Sequence, residues 1–359
     1  MPLRDICSKW SLFVWIAVLS LGSCSKKDQA SPSHAADFQQ FSLFPGQDKT
    51  VIDAVNNQIN VRVPDTIVSG NQLAANFSAS PQASVSVQGV AQQTGITRNN
   101  FEEDLSYIVT AGDQQSKKTW TVRATNNDNS ISLGLGHFLN HGLSEDRVYN
   151  WYIDQSTSGP YALVNCGPSS VTMAIKWSDS GFSKTALDAR GTYETGGGWW
   201  FTSDIDAYLG DNNIPHAIIS LSPGPDSTGI ILMNQLDHQQ IIILCLDMNY
   251  VRPASQAAMR VDKFYPTSPG WGHFIVLKGY KKVDEELFFE AYDPYSFGQV
   301  NTDQTLKGLN RFYRYEDLAA ACLPWWNFAF VIAKKGQLLD LDAIHRALDP
   351  AHVPVAHNF

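Results

Sequence analysis

Three side chains in this sequence have the types and settings of a thiol-based acyl-transfer site. Cys166 stands in LVNCGPSSVTMAIKW, where Gly167 and Pro168 suit a tight turn into a helix and Val171, Ala174 and Ile175 recur as one buried helical stripe. The pattern predicts a helix that opens at Cys166. A cysteine there meets free backbone N–H groups and the positive end of the macrodipole, which favour thiolate over thiol and lower the pKa from about 8.5. Such a nucleophile needs a base. His273 opens the alternating run HFIVLKGY, and the charged KKVDEE reads as a hairpin loop before the strand LFFEAYDPY. If the hairpin folds about residues 283 and 284, residue 273 comes level with about residue 294, and Asp293 lies beside His273. A carboxylate on one imidazole nitrogen fixes the tautomer and leaves the other nitrogen to take the thiol proton, an arrangement that recurs on unrelated folds.

The other histidines and cysteines offer less. His34 lies in a polar N-terminal stretch, His352 and His357 in a polar tail, and His216, His238 and His345 have no suggestive neighbourhood. His137 and His141 form H-x-x-x-H, but Phe138 stands where a zinc hydrolase needs Glu, and Gly136 and Gly142 weaken a helix. No metal site and no cofactor is therefore expected. Cys245, in the continuous apolar run IIILCLDM, and Cys322, after DLAAA, read as core residues. The absence of CxxC leaves thioredoxin-like redox chemistry and structural zinc without support.

The elements that must position these residues belong to a chain of 359 residues with 43% hydrophobic content, enough for a substantial core and for two or three domains. A net charge of -9 and a pI near 5.4 argue against a nucleic-acid partner, which would select a basic face. At the N-terminus, Arg4 and Lys9 precede the apolar run from Trp10 to Leu21, which has the length of a secretory signal core. Leu21-Gly22-Ser23-Cys24 resembles the bacterial lipobox, which implies a signal over residues 1–23 and acylation of Cys24. The stretch 24–37 then reads as a tether with almost nothing to bury. Lys26, Lys27 and Asp28 are similar to lipoprotein export signals of the Bacteroidetes, implying an exported protein held by lipid at the outer membrane and facing outward. With Cys24 allotted to lipid, Cys166, Cys245 and Cys322 are an odd number that cannot all pair internally.

Beyond the tether, residues 38–126 carry the alternating segments QINVRV, ASVSVQG, LSYIVTA and TWTVRAT, separated by turn-formers such as Pro64-Asp65, Ser69-Gly70 and Gly112-Asp113. A small antiparallel β-sandwich is expected. Through Ile59 to Pro64, Phe77, Val85 to Val87, Phe101 and the run from Tyr107 through Asp113 to Val122, it resembles the immunoglobulin-like spacer domains of Bacteroidetes surface lipoproteins. The resemblance implies a spacer or a binding platform. ATNNDNSISLGLG, rich in turn-formers, places a linker at 127–147, before an α+β domain over 148–335 and a tail over 336–359.

The order of Cys-Gly-Pro-Ser-Ser opening a helix, then Trp-Gly-His-Phe-Ile-Val-Leu-Lys-Gly-Tyr, then Tyr-Asp-Pro-Tyr resembles the papain-like cysteine peptidases related to the bacteriocin-processing, double-glycine peptidases, over about residues 148–334. The resemblance implies an α+β papain-like fold in which a helix carries the cysteine and an antiparallel sheet carries the histidine and aspartate. It implies Cys166 as nucleophile, His273 as base and Asp293 as orienter. Gly198-Trp199-Trp200 and DIDAYLGDNNI resemble the segment that walls the cleft. The family supplies a glutamine upstream of the nucleophile to hold the negative oxygen. Gln155 in WYIDQSTSGPY is the best match, although at eleven positions before Cys166 it is farther than usual; a loop insertion at STSGP would reconcile it, and Asn165 is the nearer alternative. The chain has neither a G-x-x-x-x-G-K-[ST] loop nor a set of spanning helices, so leader-peptide removal during secretion is not implied. The expected function is that of a lipid-anchored cysteine peptidase cleaving peptide or protein substrates through an acyl-enzyme. Two alternatives are a non-catalytic ligand-binding surface protein and an acyl transferase with the same thioester chemistry.

Overall fold

Alternation sets the first module. In β3 (Gln58–Arg62), Ile59 and Val61 are buried while Gln58 and Asn60 face solvent, the period-2 pattern of a strand covered on one side. The computed structural model describes residues 32–221, 225–322, 327–339 and 355–357, so the signal, the lipobox with Cys24, and His345 and His352 lie outside the described residues. Around β3 stand β1 (Phe38–Phe44), β2 (Lys49–Asp53), β4 (Leu73–Ala79), β5 (Ser84–Val87), β6 (Val90–Ala91), β7 (Arg98–Asn99), β8 (Leu105–Thr110) and β9 (Lys117–Thr125). They form two sheets, β1-β4-β7 and β2-β3-β9-β8-β5-β6, whose inner faces share one core around Phe38, Phe41, Tyr107 and Trp120. The expected all-antiparallel pairing holds except between β3 and β9, which run parallel with Gln58 opposite Thr121. Alternation reports which face is buried and carries no information on strand direction.

The segment 127–147, expected as a linker, instead holds α1 (Asp128–Leu133) and β10 (Leu139–Ser144). Between them Phe138 is buried in the core of the first module. The Asn126 side chain donates to Ile67 O at 2.9 Å and Leu139 O at 2.6 Å. Turn-rich composition misleads here because Asn, Ser and Gly also satisfy backbone groups at junctions.

The second module is a mixed α+β layer structure. Its helices are α2 (Cys166–Ser178), α3 (Ala186–Thr192), α4 (Thr202–Asp211), α5 (Pro225–Asp237) and α6 (Tyr315–Cys322). Its strands, besides β10, are β11 (His216–Ser220), β12 (Ile241–Asp247), β13 (Gly272–Val283), β14 (Glu286–Tyr292), β15 (Arg311–Arg314), β16 (Phe328–Ile332) and β17 (Val355–His357). They pair antiparallel in the order β15-β14-β13-β12-β16-β11-β17, and β10 continues along β13 where β12 ends. The sheet is covered on both faces, which is why β12 reads as an unbroken apolar run. Ile242, Leu244 and Leu246 enter one core with α5 and α6, while Ile241, Ile243 and Cys245 enter the other with α2 and α4. Cys245 and Cys322 are buried, and burial pushes both thiol pKa values up, Cys322 to about 12. Among the described residues no helix is long and apolar enough to cross a membrane.

Candidate active site

Helix α2 is buried almost all round, as a helix at the centre of a domain must be. It lies against β13, and the Ser170 hydroxyl donates to Phe274 O at 3.0 Å, which sets the first turn of α2 beside the first residues of β13. Gly167 lets Trp200 close over the start of the helix, because a Cβ there would meet the Trp200 Cβ at 2.7 Å. Cys166 therefore opens the helix with its sulfur toward His273 and accepts from the Gly167 and Phe274 N–H groups. Burial alone would raise the thiol pKa; the hydrogen bond and positive charge of His273 outweigh it, and the pKa is lowered.

The hairpin that carries His273 turns one residue later than the sequence arithmetic expected. Val283 pairs with Glu286, and Asp284 and Glu285, at φ 49° and 67°, form the two-residue turn whose left-handed residues match strand twist. A bulge between Leu277 and Gly279 then shifts the register, so that Val276 pairs with Tyr292. The ladder ends there, and Asp293 donates its N–H to Gly308 O at 2.9 Å. Its carboxylate Oδ1 accepts from His273 Nε2 at 2.7 Å, leaving Nδ1 for the sulfur. Burial opposes charge on His273, but Asp293 and then Cys166 reverse the balance and raise its pKa to about 10. Each shift favours the charged form of its group, thiolate for Cys166 and imidazolium for His273.

Asp293 is fully buried and accepts four hydrogen bonds. Besides His273, the Tyr295 N–H reaches Oδ1 at 2.9 Å, and the Tyr265 and Tyr313 hydroxyls reach Oδ2 at 2.9 and 2.5 Å. Burial would push this carboxyl up, yet the His273 charge and these donors hold it below the usual carboxylate range. Neither tyrosine is marked in the sequence, since one comes from the loop before β13 and the other from β15. Tyr265 and Tyr295 also set ring edges against the imidazole, at 6.0 and 6.1 Å.

Gln155 and Asn165 separate clearly. The Asn165 amide is spent inside the fold: Nδ2 donates to Ser158 O and Oγ at 3.1 and 2.9 Å, and Oδ1 accepts from Arg190 Nε at 2.7 Å. Gln155 lines the cleft with Cys166 and His273. The intervening residues coil into two 3₁₀ turns, Gln155–Thr157 and Ala162–Val164, joined through Gly159 at φ 101°, and this shortens the eleven-residue separation. Gln155 N–H donates to Pro294 O at 2.8 Å, while the Asp154 carboxylate accepts from Phe297 and Gly298 N–H at 3.0 and 2.8 Å. The glutamine segment is thus stitched to the loop that follows Asp293. Gln155 Nε2 places one hydrogen on Ala162 O at 2.8 Å and keeps a second, while its buried Oε1 has no hydrogen-bond partner among the described residues.

Arg190 carries no signal in the sequence either. Almost fully buried, it donates to Asn165 Oδ1, to Val164 O at 2.9 Å, and to Glu194 O and Gly198 O at 3.0 and 2.8 Å, tying the helix start to the Trp199 wall. Burial lowers its pKa, and the charge of Cys166 is foremost among those that oppose the fall. His137 and His141 go to different surroundings, one toward Glu102 O and the other against the Tyr280 ring.

Residues 38–124 match the family model for the N-terminal domain of SGBP, the surface glycan-binding proteins of the Bacteroidetes. The comparison with curated proteins found no match. Among solved structures, a C39-like peptidase from Bacillus anthracis is 11% identical at a TM-score of 0.32, covering 48% of this chain and 90% of its own. A secreted protein from Bacteroides fragilis is 18% identical at 0.21, covering 26% of this chain and 95% of its own. A structure described as a glycoside hydrolase from Bacteroides thetaiotaomicron is 15% identical at 0.22, covering 85% and 90%. These likenesses are weak.

Proposed function

We propose that the chain is an exported, lipid-anchored thiol hydrolase whose second module has a papain-like active site for peptide or amide bonds. The observation that carries this reading is the buried line from the Cys166 sulfur through His273 to Asp293, opening on a cleft that Gln155 also lines. The thiolate adds to the carbonyl carbon, and the negative oxygen is held by the Cys166 N–H and the second Gln155 amide hydrogen. As the C–N bond breaks, His273 gives its proton to the leaving amine. The resulting thioester is then hydrolysed by water whose proton returns to His273, releasing the acid and the thiolate. The first module would hold this activity at a glycan-bearing surface, as its SGBP match suggests.

That match also favours a second reading, a glycan-binding surface protein whose second module binds without turnover. Alkylation of the purified chain by iodoacetamide at pH 6 separates the two. The hydrolase reading expects Cys166 to be labelled at least about tenfold faster than a free cysteine, with the advantage lost in H273A. Labelling no faster than free cysteine overturns it in favour of the binding protein. Turnover of a peptide library then tests hydrolysis itself.

A further inference from the structure

The connection from β12 to β13, residues 248–271, is irregular apart from the 3₁₀ turn Met248–Tyr250. Connections of that length in a compact domain are mostly either functional or disordered. This one is tied down: Ala254 N–H donates to Lys263 O at 2.8 Å, Asp262 N–H donates to Phe312 O at 2.8 Å, and the Arg252 side chain pairs with Asp317 at 2.8 Å. It folds around a cavity of about 510 Å³ whose walls include Pro253, Lys263, Phe264, Tyr265, Thr267 and Lys307. The cavity shares no lining residue with the cleft beside Cys166. Tyr265 is the wall toward the triad, since its hydroxyl donates to Asp293 Oδ2.

The charge in this cavity is one-sided. Two lysines line it and no carboxylate does, in a chain of net charge -9. Lys263 is buried, and its ammonium donates to Met248 O at 2.8 Å and Thr267 Oγ1 at 2.5 Å, which leaves one of its three hydrogens. Among the described residues neither lysine is ion-paired. Burial lowers the Lys263 pKa, and Asp247 and Asp317 oppose the fall from farther off. Asp317 is engaged by Arg252, and Asp247 accepts from the Asn249 and Gly270 N–H groups. On the other side, Lys307 Nζ stands 5.7 Å from the Phe264 ring, and the Arg311 guanidinium stands 4.6 Å from the same ring. An ammonium held out of water without a counter-charge is costly, and an anion in the cavity offsets that cost.

We propose that this cavity binds a small organic carboxylate with an apolar body, its acid group on Lys263 and Lys307 and its body against Pro253 and Phe264. Two cations fix the charge of the ligand, and the apolar walls select against a bare inorganic anion. The site stands apart from the thiol chemistry and holds whether or not Cys166 turns over a substrate.

The test is calorimetric titration of the purified chain with phenylacetate and with N-acetylphenylalanine, a free acid and a peptide-like carboxy terminus, beside phenylacetamide and acetate. One of the two acids should bind with a Kd below about 1 mM, and the one that does identifies the source of the carboxylate. Phenylacetamide, which lacks the charge, and acetate, which lacks the body, should bind at least about tenfold more weakly. K307Q, at a half-buried position, and A257E, at an exposed one on the lining, should each weaken the acid by at least about tenfold. K263M should abolish binding, but it also strips a partner from Met248 O, so the other two variants carry the test. A Kd above about 1 mM for both acids overturns the site. So does an amide that binds as well as its acid, or an affinity that K307Q and A257E both leave within about threefold.

Discussion

Replacing Gln155 with alanine should split two reactions of one sulfur. Alkylation by iodoacetamide develops no negative oxygen, whereas addition of Cys166 to a peptide aldehyde creates a tetrahedral adduct whose oxygen sits where the reacting carbonyl oxygen would. Gln155 spends one amide hydrogen on Ala162 O and keeps one for that oxygen. Removing a single donor of this kind costs about 2.7–4 kcal/mol, or a factor of roughly 10²–10³. The Kd of an apolar dipeptide aldehyde should rise by that factor in Q155A, while the alkylation rate moves by less than about threefold. Stability should change little. The lost bond to Ala162 O contributes about 1 kcal/mol, but deletion also removes Oε1, a buried acceptor without a partner among the described residues, whose presence costs about 1–3 kcal/mol. Denaturant unfolding of the two proteins should therefore agree within about 1 kcal/mol. Aldehyde affinity unchanged within about threefold would refute the assignment of Gln155, and a stability loss above about 3 kcal/mol would show that its role is structural.

Proton linkage supplies a second test. Folding lowers the Cys166 pKa and raises that of His273, so the two contributions to the pH slope of stability oppose each other. In C166A the Asp293 charge and hydrogen bond still raise the His273 pKa, though less far than with Cys166 present: the stabilisation is complete below about 6.5 and is lost as pH rises toward the folded value, at up to about 1.4 kcal/mol per unit. Urea unfolding of C166A at pH 6, 7 and 8 should show that decline, and flat stability would sink the charge assignment. The same pair predicts that wild-type alkylation slows as pH falls through the lowered Cys166 pKa, whereas in H273A the midpoint moves above the ordinary thiol range. Y313F removes one donor from the Asp293 carboxylate and should lower stability by about 1.5–3 kcal/mol in thermal unfolding while Cys166 remains reactive. Finally, G279A drives a Cβ to 2.3 Å from Leu143 O, so the bulge or the β10 pairing must give way; a destabilisation below about 1 kcal/mol would contradict the close approach.

The sequence makes some of this legible and hides the rest for physical reasons. Pro168 in the first turn, with an apolar stripe behind it, marks the start of α2, because those signals are local. The β13–β14 hairpin is readable too, yet its register is not: the bulge between Leu277 and Gly279 falls where β13 passes from pairing with β12 to pairing with β10, a strand from far away in the chain. Tyr265, Tyr313 and Arg190 were illegible because each reaches the site across the fold from a segment with no pattern of its own. Gln155 seemed too distant until its loop coiled. In 127–147 composition pointed to a flexible join, but Phe138 is buried in the neighbouring core.

That join gives β13 a mechanical character. The strand begins beside the imidazole of His273 and ends at Val283, whose next residue, Asp284, receives the His137 and Phe138 N–H groups at 2.7 and 2.8 Å. Ten steps of about 3.3 Å make a rod of roughly 33 Å between them. Because strands flank it on both sides, sliding it would break its ladders with β12, β10 and β14. The rod works as a ruler: it sets one fixed length between the join with the first module and the imidazole of His273.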